Sequence, residues 1–114
     1  MGTLYVRSIN IKDSLSDGQV LEEWKFWMDE ILPAIERVDG VRSVKFYSGA
    51  GALRAQLRVA IDMDDAAVYE RMLLDSNVRQ LLGRAYSAWD LNTSTQTFLR
   101  EVTPELIAAL SSTG

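Results

Sequence analysis

Val41-Arg42-Ser43-Val44-Lys45-Phe46-Tyr47-Ser48-Gly49-Ala50-Gly51-Ala52-Leu53-Arg54-Ala55-Gln56-Leu57-Arg58-Val59-Ala60-Ile61-Asp62-Met63 reads as two strands joined by a tight turn. In the second strand, Leu53, Ala55, Leu57, Val59 and Ile61 alternate with Arg54, Gln56, Arg58 and Asp62, the period of a sheet with one buried face. In the first, Val44 and Phe46 belong inside, leaving Ser43, Lys45 and Tyr47 outside. Gly49 and Gly51 supply the positive φ that a hairpin turn needs. Gly49-Ala50-Gly51 also mimics part of a phosphate-binding glycine loop, but with a strand on either side it is a turn.

A helix flanks the hairpin on each side. From about Gln19 to Val38, Val20, Leu21, Trp24, Trp27, Met28, Ile31, Leu32, Ile35 and Val38 fall at helical spacing on one wide face. Phe26 projects from the polar side, as a contact for a partner or for the C-terminal segment. Pro33 lies opposite the apolar stripe and bends the helix, and Gly40 is the left-handed residue that ends it. Around Met63, the acids Asp62, Asp64 and Asp65 cap a second helical region, a simpler role than metal binding because they lack the spacing of a calcium loop. That region breaks or is re-capped at Asp75-Ser76-Asn77, then continues with Val78, Leu81, Leu82, Ala85, Tyr86 and Trp89 on one face.

Outside these lie a strand from Thr3 to Lys12, a strand from Thr95 to Val102, and a short final helix with Thr103 as cap and Pro104 at its first position. The order β-α-β-β-α-β predicts an α+β, ferredoxin-like single domain over residues 1–114: a four-stranded antiparallel sheet with two helices on one face.

Composition narrows the chemistry. At 114 residues, 47% hydrophobic and 25% charged, the chain can bury one core unaided. It has no cysteine and no histidine, which excludes disulfides, thiolate sites, histidine-held haem or zinc, and imidazole-driven nucleophiles. No cofactor and no metal are expected. The net charge of −4 argues against nucleic acid as a partner, and no apolar run is long enough to span a membrane. With no secretory leader in the opening residues, a cytoplasmic location is expected.

Sorting the strands by face gives Leu4 and Val6 inward in the first, with Tyr5, Arg7, Ile9 and Ile11 outward. In the last strand Phe98 and Val102 make the better core pair, leaving Thr95, Thr97, Leu99 and Glu101 outside. The uncovered sheet face then carries Tyr5, Ile9, Ile11, Tyr47 and Leu99 among Arg7, Lys45, Arg54 and Arg58. Such a face suits a wet interface or a ligand cavity, although cations also keep an exposed sheet from pairing with other strands. Tyr5, Arg7, Tyr47, Arg54 and Arg58 are the candidate ligand-binding residues, for an anionic or phenolate ligand with tyrosine as proton donor and arginine lowering the substrate pKa. No catalytic residue is assigned. Trp24, Trp27 and Trp89 could wall an aromatic pocket, but large apolar residues at helical spacing are more often core.

Trp24-Lys25-Phe26-Trp27-Met28-Asp29-Glu30-Ile31-Leu32-Pro33-Ala34, Val38-Asp39-Gly40-Val41-Arg42-Ser43-Val44, Ala67–Ser76 and Phe98-Leu99-Arg100-Glu101-Val102 resemble the dimeric α/β-barrel superfamily, which includes antibiotic-biosynthesis monooxygenases and NIPSNAP-like proteins. The resemblance implies a homodimer whose open sheet faces meet across a barrel, with a small-molecule cavity between helices and sheet or within the barrel. It also implies a cofactor-independent monooxygenase-like activity on a small aromatic or anionic substrate, in which the substrate anion activates oxygen. A non-catalytic ligand-binding or regulatory module on the same fold is the alternative. RNA binding, which uses the same element order, lacks the aromatic residues it would need between Leu53 and Ile61.

Overall fold

A computed structural model describes residues 2–112; Met1, Thr113 and Gly114, which the expected domain 1–114 takes in, lie outside the described residues. Four strands, β1 (Thr3–Ile9), β2 (Val41–Tyr47), β3 (Leu57–Met63) and β4 (Thr95–Leu99), form one sheet in the order β2-β3-β1-β4. Every pairing is antiparallel. This is the ferredoxin-like arrangement, and within one chain the sheet stays open, with β2 and β4 as its edges. Among the described residues, no helix is long and apolar enough to cross a membrane.

The first crossover begins with α1 (Asp17–Phe26), whose Ser16 cap and Gln19 form a reciprocal capping box. Pro33 has no N–H to donate, and the turn ahead of it widens into a π turn (Trp27–Ile31), in which the Leu32 N–H reaches five residues back to the Trp27 carbonyl. The helix resumes as α2 (Leu32–Glu36). The extra residue shifts the phase of the buried stripe. Phe26, expected on the polar side, is buried beneath the Arg84 guanidinium, 4.3 Å from its ring, whereas Leu21 and Met28 are exposed.

The second crossover is split as the sequence suggested. α3 (Ala67–Leu74) ends at Asp75, whose extended backbone breaks the helix and whose carboxylate accepts from the Val78 N–H to start α4 (Ser76–Tyr86). Asp65 accepts from the Ala67 N–H, and Asp64 pairs with Arg42 at 2.8 Å. Gly40, at φ +94°, lies so close to α3 that a Cβ there would sit 2.5 Å from Val68 Cγ2. Thr103 caps α5 (Pro104–Ser112) by accepting from the Leu106 N–H.

Three expectations about the strands fail as well. First, β3 starts at Leu57 and not at Leu53. Gln56 takes a left-handed φ of 60°, which interrupts the extended chain, and the preceding residues are drawn toward the β1–α1 turn. There the Arg54 carbonyl accepts from the Ile11 N–H, and the Arg54 guanidinium donates to the Leu15 carbonyl (2.7 Å) and to the Asp17 carboxylate. Second, β4 stops at Leu99, so Val102 is an exposed residue of the following connection and not a core partner of Phe98.

Third, β1 faces the opposite way. Tyr5, Arg7 and Ile9 sit directly across from Ile61, Val59 and Leu57, the helix-facing residues of β3. Tyr5, Ile9 and Ile11 are at most 5% exposed. Leu4 and Val6 therefore point to the open face. Both registers offered β1 an apolar stripe, and what decides between them is bulk: the Tyr5, Ile9 and Ile11 side chains fill the layer beneath the helices better than Leu4 and Val6 alone.

Candidate functional site

Turning β1 over carries Arg7 to the helix side of the sheet, where a guanidinium is out of place in an ordinary core. It enters a narrow cleft between sheet and helices lined by Tyr5, Trp27, Val59, Tyr69, Tyr86 and Trp89, among others. The aromatic wall is continuous. Phe46 stacks on Trp27 at 5.6 Å, Trp27 on Trp89 at 5.5 Å, and Tyr86 meets Trp89 edge-on at 4.8 Å. Across the cleft, Tyr5, Tyr69 and Phe98 form a second group, with ring centroids 4.7 to 5.0 Å apart. The Arg7 guanidinium lies 5.4 Å from the Trp89 ring, within cation–π range.

The polar groups converge on one point. Gln96 on β4 sits directly across from Arg7, and its Oε1 accepts from Arg7 Nη1, from the Tyr5 hydroxyl and from the Tyr69 hydroxyl, each at 3.1 Å. Arg7 Nε is buried without a hydrogen-bond partner. Among the described residues the ion pairs are Arg42–Asp64 and Arg54–Asp17, so Arg7 has no carboxylate beside it. A partly buried cation without a counter-ion is costly and favours the arrival of an anion.

Burial raises the Tyr5 hydroxyl well above the ordinary tyrosine range, reinforced by Tyr69 and only partly opposed by the neighbouring Arg7 guanidinium. Burial raises Tyr86 too, again against the pull of Arg7. Both therefore stay protonated near neutrality and are available as hydrogen-bond donors, not as bases. The cleft lining contains no carboxylate. Chemically, the arrangement can hold an anionic oxygen with two neutral O–H donors and one cation, against aromatic walls suited to a flat ring.

The five residues expected to form one site are thus divided among three places. Tyr5 and Arg7 line the cleft together. Tyr47 and Arg58 are cross-strand neighbours on the opposite, open face of the sheet, where Tyr47 is 50% exposed and Arg58 donates to the Leu57 carbonyl. Arg54 is spent in fastening the β2–β3 connection to the start of α1. Trp27 and Trp89 are both core and cleft wall, while Trp24 packs half-buried against Phe46 outside the cleft. Sequence reasoning missed Tyr69, Tyr86 and Gln96. For Gln96 a signal existed, because it stands two residues before inward-facing Phe98 and so shares its face.

The acidic turn ahead of α3 is occupied by capping and by the Arg42 pair, and no group of three metal-ligating side chains gathers among the described residues.

No family model matches this chain, and a search of curated proteins by sequence finds no match. Solved structures do resemble it. A dimeric protein of unknown function and ferredoxin-like fold from Bacteroides fragilis superposes with a TM-score of 0.74 at 6% identity, over 88% of this chain and 96% of the other. SnoaB, a cofactor-independent oxygenase from Streptomyces nogalater, gives 0.67 at 10% identity, covering 90% and 97%. The ActVA-Orf6 monooxygenase of Streptomyces coelicolor, in complex with nanaomycin D, gives 0.69 at 12% identity, covering 90% and 88%. At such identities the likeness establishes the fold, which is the one the sequence resemblance implied.

Proposed function

We propose that the cleft binds a small aromatic molecule through an anionic oxygen, a phenolate or enolate, and that the chain acts on it as a cofactor-independent monooxygenase would. The observation that carries this reading is the convergence of Arg7 and the Tyr5 and Tyr69 hydroxyls on one point inside an aromatic cleft without a carboxylate. Arg7 lowers the pKa of a bound phenol, and the two tyrosines hold the resulting oxyanion. With no histidine in the chain and no carboxylate in the cleft, the phenolic proton leaves to water, so the fitting substrate is a phenol or enol acidic enough to ionise near neutrality. A phenolate is electron-rich enough to react with dioxygen. One oxygen atom enters the ring to give a quinone, and the other leaves as water with two hydrogens of the phenol.

The names of the structural neighbours support the monooxygenase reading, and the dimeric description of the Bacteroides fragilis protein supports a homodimer. We place the dimer contact on the open sheet face, where Leu4, Val6, Tyr47, Ala60 and Leu99 lie among Lys45, Arg58 and Asp62. Two such faces packed together would enclose a barrel. The lack of a base in the cleft favours a second reading, a binding module without turnover.

The deciding experiment titrates 4-nitrophenol with excess protein and follows phenolate absorbance against pH, with native mass spectrometry on the same sample. A lowered apparent pKa that disappears in Arg7→Met, together with a dimer mass, supports the proposal; an unshifted titration sinks it. Oxygen consumption with acidic polycyclic phenols then separates enzyme from binding module.

A further inference from the structure

The cleft that should receive the ligand is too small for it. Its free volume is about 30 Å³, whereas ligand pockets measure roughly 300–1,000 Å³. That leaves room for about one or two water molecules. What stands over the donors is Gln96, reaching inward from an edge strand whose five residues are all exposed. Its amide oxygen has two lone pairs, yet three donors point at it, one of them cationic. A neutral acceptor is thus held where a full negative charge would satisfy the same donors better, since charge-assisted hydrogen bonds are about twice as strong as neutral ones. Moving this side chain costs no core packing, because β4 contributes no buried residue.

We propose that Gln96 is a displaceable latch: its amide oxygen occupies the oxyanion point of the empty cleft, and only a ligand oxygen more strongly accepting than an amide displaces it. The latch rests on the reading that this cleft takes an anion, and it sharpens the ligand class. Phenolates and enolates open the site, while neutral phenol ethers and alcohols of the same shape do not. Arg7 and Tyr69 meet through Gln96, so the latch also ties α3 to β1 and β4 in the empty protein.

Two substitutions act in opposite directions. Gln96→Ala vacates the point and should tighten 4-nitrophenolate binding about 5-fold, the effect of one hydrogen bond that no longer competes. Gln96→Glu puts a carboxylate of the same reach on the three donors, so it should weaken 4-nitrophenolate binding by about 10-fold or more while raising the melting temperature, because it supplies the missing counter-ion. In the wild type, 4-nitroanisole should not bind; in Gln96→Ala it should bind weakly. Unchanged or weaker phenolate binding in Gln96→Ala, or a lowered melting temperature in Gln96→Glu, overturns the latch while leaving the anion cleft standing. Failure of the wild type and Gln96→Ala alike to bind 4-nitrophenolate overturns the anion cleft itself, and the latch with it.

Discussion

The two faces of the sheet carry similar residues in opposite circumstances. On the helix side, Arg7 and Tyr5 sit among rings, with no carboxylate in the cleft lining and the Tyr5 and Tyr69 hydroxyls aimed at one atom. On the open side, Arg58 and Tyr47 stand side by side in solvent, and the guanidinium finds only the adjacent Leu57 carbonyl. The helix-side cleft holds only about 30 Å³ of free volume, while the open side offers a broad groove of about 400 Å³ lined by Leu4, Asp62, Leu99 and Arg100 among others. An arginine–tyrosine pair means little by itself. What would give it chemistry is partial burial among rings and the want of a counter-charge, and of the two pairs the helix-side one has both.

The contrast implies that stability resides on one face and is nearly indifferent to the other. The largest effect should follow Ile61→Ala. Ile61 is 1% exposed on β3 beneath the helices, so the truncation should cost about 2–5 kcal/mol in urea unfolding. A loss under about 1 kcal/mol would mean that the helix layer is loosely seated, and the argument from burial would fail with it.

Arg7→Met comes next and tests the missing counter-ion. The substitution removes a cation that no carboxylate neutralises and replaces it with a flexible apolar chain of similar reach. Folding stability should be unchanged or higher, by up to about 1–2 kcal/mol, while the affinity for 4-nitrophenolate falls by about 10-fold or more. Both quantities come from one purified variant, by thermal melting and by absorbance titration. A strongly destabilised Arg7→Met would show that the guanidinium serves the fold and not a ligand.

Much of this architecture was legible in the sequence. The alternation from Leu57 to Met63, the Asp75 break between α3 and α4, and the Thr103-Pro104 start of α5 are local signals that tertiary packing had no reason to override. The site was not legible, and the cause is specific. Patterning assigns a strand its buried face by the rule that charges point to water, and Arg7 breaks that rule by lying on the helix side of the sheet among aromatic rings. Once Arg7 was placed outside, Tyr5, Ile9 and Ile11 followed it. The cue available was the number of bulky apolar residues in the Tyr5 register, three against two, and it was outweighed by one charge. The Gln56 kink was hidden for a different reason: the alternation of Leu53 and Ala55 with Arg54 continues the strand pattern, and only the long-range bonds of Arg54 to Ile11 and Leu15 redirect the chain.

A smaller effect should appear at high pH. The folded chain holds the Tyr5 hydroxyl well above its usual value, chiefly by burial, and Tyr86 is raised for the same cause. In the unfolded chain both ionise near pH 10, so between about pH 10 and the folded value the native state keeps protons that the unfolded state gives up. Stability is therefore complete below about pH 10 and declines as pH rises beyond it. Tyr5→Phe should flatten part of that decline between urea titrations at pH 9 and pH 11. An unchanged slope would mean that the hydroxyl is reached by water, contrary to the burial of Tyr5.

The smallest effect belongs to the other face. Arg58→Ala removes an exposed side chain whose hydrogen bond goes to a neighbouring carbonyl, so the chain's folding stability should move by less than about 0.5 kcal/mol. Binding of 4-nitrophenolate should not move at all, because Arg58 lies on the far side of the sheet from Arg7. If the open faces meet in a dimer, however, Arg58 and its copy are brought toward one apolar seam. Its removal should then shift the dimer dissociation constant, measured by dilution in analytical ultracentrifugation, with no change in the cleft. That separation is the sharpest form of the contrast between the faces: a substitution on one side that alters association and not ligand binding, against Arg7→Met, which alters ligand binding and not association. Loss of phenolate binding in Arg58→Ala would instead join the two faces into one site, and the assignment of the ligand to the helix side would have to be abandoned.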